Sequence, residues 1–62
     1  MGTAEVEERI TNLYRTISGG RKLAERNKDH RMVDTFLHLK DNLMMLDKAL
    51  GTNVYGQKNS AL

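Results

Sequence analysis

The sequence predicts an all-α protein. Its expected form is an antiparallel hairpin of two helices, about 4–26 and 30–50, dimerising into a four-helix bundle and followed by a flexible C-terminal tail. Three observations lead there. Two long segments repeat apolar residues at alternating spacings of three and four, the signature of one buried helical face. Neither contains a proline, and no segment alternates in the manner of a strand. Between them lies a short polar stretch, RNKDHR, with residue types that end one helix and start another.

The first helix is carried by Val6, Ile10, Leu13 and Ile17, and the same stripe continues through Gly20 and Ala24. Thr3 is placed to cap it, and Glu5, Glu7 and Glu8 suit the positive end of its dipole. The glycine pair Gly19–Gly20 raises an alternative, because glycine weakens a helix interior by about 1 kcal/mol relative to alanine. A turn at the glycines would leave a short first helix facing little apolar surface. A turn at 27–29 gives two helices of similar length and places Gly20 against Phe36, small against large. The second layout is the one the pattern favours.

The turn needs a residue that tolerates the left-handed conformation, and Asn27 fits. Asp29 is placed to cap the second helix by accepting a backbone N–H. That helix carries Met32, Phe36, Leu39, Leu43, Leu46 and Leu50, at spacings 4, 3, 4, 3, 4. Folding the two stripes together pairs Val6 with Leu50, Ile10 with Leu46, Leu13 with Leu43 and Ile17 with Leu39. Lys48 complements the helix C-terminus, and Gly51 stands where a terminating glycine belongs. Residues 1–50 thus read as one domain and 51–62 as a polar, flexible tail, with Val54 and Tyr55 as isolated apolar residues.

At 62 residues the chain is short for a core of its own, and it has no cysteine to staple one. Helix 2 also carries a second apolar stripe of Val33, Leu37 and Met44, with Met45 nearby. One partner helix cannot cover a face that wide. The expectation is a homodimer, with Val33, Leu37, Met44 and Met45 as the contacts to a second copy or to a different protein.

Chemistry is sparse. Ser18 and Ser60 are the only serines, and no nucleophile–base arrangement is legible. Asp34, His38 and Asp41 share a helix face, but an exposed polar face explains them as an i,i+4 pair and its neighbour. No enzyme activity, no cofactor and no metal are expected. No apolar run reaches the roughly 20 residues of a membrane span, and MGTAEV lacks the apolar run of a secretory signal. The absence of cysteine is consistent with the cytoplasm.

The formal charge of +2 is modest, yet Arg15, Lys22 and Arg26 line the outer face of helix 1. Arg21, Lys28 and Arg31 thicken that charge toward the turn. Two functional classes follow. The first is a small regulatory or adaptor protein (an inhibitor, antiactivator or assembly chaperone) that masks a partner's surface through helix 2. The alternative is an RNA- or DNA-binding bundle using the basic face of helix 1 to track phosphates.

Overall fold

The computed structural model describes residues 2–56; the remainder of the expected tail, 57–62, lies outside the described residues. Two helices form a hairpin, α1 over Thr3–Arg26 and α2 over His30–Leu50. A single helical turn follows at 54–56, and no strand occurs among the described residues. The glycine pair lies inside α1, so the turn is at 27–29, as the apolar phase implies.

The ends of the helices are set by local chemistry. Asp29 caps α2, its carboxylate accepting the Met32 N–H at 3.1 Å. Gly51 takes the left-handed conformation at φ 73° and closes α2. Its N–H donates to the Lys48 carbonyl and the Thr52 N–H to the Asp47 carbonyl, the paired bonds of a Schellman ending. Two cap expectations need correction. Gly2 precedes α1 in extended conformation and no side chain caps that helix; Thr3 is already helical. At the hairpin turn Asn27 keeps right-handed backbone, and Lys28 adopts the left-handed conformation at φ 58°. The reason is register. Asp29 must send its N–H to the Ala24 carbonyl and Lys28 to the Glu25 carbonyl, which puts the left-handed residue one position later.

The helices meet on a face rotated from the expected one. Ile10, Ala24 and Leu43 are buried, and Val6, Tyr14 and Ile17 pack against the cluster to which Ile10 and Leu43 belong. Phe36 lies directly over Gly20, where an added Cβ would run into its ring. On α2 the inward positions are Val33, Phe36, Lys40, Leu43 and Asp47, a row that admits two charged residues. Leu13, Met32, Leu39, Leu46 and Leu50, all assigned to the seam by their spacing, remain about half exposed. The pairings of Ile10 with Leu46 and Leu13 with Leu43 therefore give way to a core of Ile10, Leu43 and Val54.

Val54 is the unexpected member. Residues 52–56 fold back onto the open end of the hairpin instead of trailing from it, and Thr52 and Val54 are both buried. The side chain that holds them is Asp47, itself only 2% exposed. Its carboxylate accepts the N–H groups of Val54 at 2.9 Å and Tyr55 at 3.0 Å, together with the Thr52 hydroxyl. Tyr14 on α1 donates its hydroxyl to the same carboxylate at 3.3 Å. One buried anion thus ties α1, α2 and the last turn together. That bond network rewards turning Asp47 inward, and the Phe36–Gly20 contact fixes the same rotation farther along.

A candidate protein-docking cleft

The folded-back turn creates a concave site on one side of the hairpin. A cleft of about 210 Å³ opens between the helices beside Tyr55. From α1 come Tyr14, Ile17, Ser18 and Arg21, spaced so that all four point to one side. From α2 come Phe36, Leu37 and Lys40. Ile17, Phe36 and Leu37 supply an apolar floor, and two tyrosines supply a wall. The rings of Tyr14 and Tyr55 sit 5.6 Å apart, centroid to centroid, tilted by 44°. This tilted contact is an ordinary favourable aromatic geometry. Lys40 places its ammonium 5.4 Å from the Tyr55 ring, within cation–π range.

The electrostatics have two layers. Beneath the cleft, burial pushes Asp47 up, but the hydrogen bonds from Thr52, Tyr55, Val54 and Tyr14 outweigh it and hold the carboxyl below its ordinary range. Burial and then the Asp47 charge push the Tyr14 phenol up to about 12. Tyr14 is therefore a neutral donor at neutral pH, committed to Asp47. At the rim the charge is positive. Arg21 Nε lies 3.4 Å from the Glu25 carboxylate one helical turn on, an ion pair whose geometry falls short of a hydrogen bond. A cleft with an apolar floor and a cationic rim suits an apolar side chain flanked by a carboxylate.

The residues singled out from the sequence distribute as follows. Leu37 lines the cleft and is 37% exposed. Val33 and Met44 lie on the same side of α2 and are half-buried, while Met45, next around the helix, is 71% exposed. Of the cations, Arg21 belongs to the cleft. Arg15, Lys22, Arg26, Lys28 and Arg31 are exposed on the outer surface and at the turn. Asp34, His38 and Asp41 are exposed, and the described residues include no group of three or more His, Cys, Asp or Glu side chains placed to hold a metal ion. No helix among the described residues is long and apolar enough to cross a membrane.

Sequence reasoning missed Lys40, Tyr55 and Asp47. Lys40 and Asp47 interrupt the apolar row that marks a buried face, and Tyr55 sits in a stretch of tail composition. The spacing 33, 36, 40, 43, 47 was available as a signal, but only to a reading that tolerates charge inside. The geometry defines a two-helix hairpin clasped by a buried carboxylate. No family model matches the chain, and neither a curated protein nor a solved structure matches it.

Proposed function

We propose that this is a small non-enzymatic regulatory or adaptor protein, self-associated through its helices, that acts by covering the surface of another protein. The docking side is the cleft with the adjoining stripe of α2, Val33, Leu37 and Met44, with Met45 at its margin. The observation that supports the reading is the cleft itself, an apolar floor bordered by Arg21 and Lys40. Binding energy at protein interfaces concentrates where one anchor side chain fills such a pocket. The partner segment that fits presents a large apolar residue next to Asp or Glu.

The experiment is affinity capture from source cells with three proteins: the wild type, Leu37→Asp, and the triple charge reversal of Arg15, Lys22 and Arg26. Under this reading one protein is retained by the wild type and the triple variant, with or without nuclease. Leu37→Asp weakens that complex at least about tenfold, roughly 1.4 kcal/mol. Retention that disappears with nuclease, or with the triple reversal alone, replaces this reading with nucleic-acid binding by the outer face of α1.

A further inference from the structure

The opposite side of the hairpin has a different character. With about 100° of rotation per residue, Leu13, Thr16, Gly20 and Leu23 fall on the edge of α1 turned away from Tyr14, Ser18 and Arg21. On α2 the matching ladder is Met32, Thr35, Leu39, Asn42 and Leu46. The two ladders adjoin across the hairpin, and neither holds a charged residue between Leu13 and Leu23 or between Met32 and Leu46, in a chain that is 29% charged; Arg9 continues the α1 ladder one turn nearer the open end. Leu13, Met32, Leu39 and Leu46 are each between 44% and 48% exposed, and Leu23 is 57% exposed. The threonines on the face need no water. Thr16 and Thr35 donate their hydroxyls to the carbonyls of Asn12 and Arg31 in their own helices, each at 3.0 Å. Depletion of charge over an apolar centre is the compositional mark of an interface core.

We infer that this face is the seam of a two-fold dimer in which the α2 helices of two copies pack antiparallel about Leu39. The inference rests on the self-association proposed above and specifies its surface and direction. Met32, Leu39 and Leu46 are spaced by seven residues, the repeat that keeps a stripe facing a partner helix. Leu39 is equidistant from the other two, so a two-fold axis there sets Met32 of one copy on Leu46 of the second and Leu39 on Leu39. Such a contact is self-complementary and closes.

Charge selects the antiparallel direction. Residues 21–31, at the turn end, hold five Lys and Arg against Glu25 and Asp29. The start of α1, at the open end, holds Glu5, Glu7 and Glu8 against Arg9. Antiparallel copies bring the basic end of each beside the acidic end of the other, whereas parallel copies would stack like on like. The cleft lies on the far side and stays open in this dimer.

The chain has no cysteine, which makes the test direct. Single variants Leu39→Cys, Met32→Cys, Leu46→Cys and Met45→Cys are treated with a short bismaleimide, alone and mixed. Leu39→Cys should cross-link with itself, and Met32→Cys should cross-link with Leu46→Cys only when the two are mixed. Two Met32 positions would lie about 21 Å apart along the seam, out of the reagent's reach. Met45→Cys, on the outer side of α2, should stay uncross-linked. Efficient self-linking of Met32→Cys and of Leu46→Cys would overturn the antiparallel direction, and efficient linking through Met45→Cys would overturn the face. Wild-type protein sedimenting as a monomer at micromolar concentration would overturn the dimer. Leu39→Asp should convert dimer to helical monomer while retaining the captured protein partner. Loss of that partner with Leu37→Asp but not with Leu39→Asp separates the docking reading from this one.

Discussion

Gly19 and Gly20 are chain neighbours with opposite surroundings. A Cβ at Gly20 would enter the ring of Phe36, while one at Gly19 meets nothing within 4 Å. Gly20→Ala should therefore destabilise by about 1–3 kcal/mol, the usual cost of overpacking. Gly19→Ala should stabilise by up to about 1 kcal/mol, through helix propensity. Urea denaturation followed by circular dichroism measures both, and equal effects would mean the Phe36 contact does not form. Asp47 and Tyr14 make a prediction about pH. The Asp47 carboxyl titrates below its unfolded value of 3.8, so its contribution is complete above that value and disappears as pH falls through the folded pKa. Tyr14 is raised from 10.0 to about 12, so its contribution is complete below pH 10 and disappears as pH rises toward 12. Thermal midpoints should fall at both extremes. Phenolate absorbance should show a late step near 12 that Tyr14→Phe removes, and Asp47→Asn should move that step toward ordinary tyrosine.

At the scale of elements, the two long helices were legible and their relative rotation was not. The spacing of Val6, Ile10 and Ile17, the Asp29 cap and the Gly51 ending are local facts, and each survives in the structure. The stripe on α2 spans so much of the helix that several rotations bury a plausible subset of it. What chooses among them is nonlocal: Phe36 must lie on Gly20, and Asp47 must reach Thr52, Val54 and Tyr55. The hairpin turn carries a testable strain, since Lys28 holds φ 58° where glycine would be at ease. Lys28→Gly should raise stability by about 0.5–1 kcal/mol, the left-handed cost of a side chain less the entropy glycine adds to the unfolded chain. The last turn is an element too. Ending the chain after Gly51 removes Val54 from the core and strips Asp47 of three donors. A loss of about 2–4 kcal/mol should follow, by analogy with other buried polar groups left unpartnered. A truncated protein as stable as the full chain would mean that the turn at 54–56 is not held in solution.

On the scale of the whole molecule, the described residues include four buried apolar and eight exposed large apolar side chains, so a lone hairpin is only marginally stable. If two copies share the uncharged face, association adds stability to a hairpin that is already helical as a monomer. The thermal midpoint should then rise with protein concentration, because mass action favours the associated native state. Calorimetry over a hundredfold concentration range would show this, and a constant midpoint would indicate a hairpin that stands alone. The sequence by itself determined the helical class, the placement of the turn and the closeness of helix packing at Gly20, because periodicity, capping and residue size act over a few residues. Only the tertiary structure decided which side of α2 faces inward and that a buried charged residue, Asp47, holds the open end together. It also decided that residues with the composition of a tail complete the core and build the cleft. A buried carboxylate is tolerable only when several donors converge on it from distant parts of the chain, and that convergence exists in space and not along the sequence.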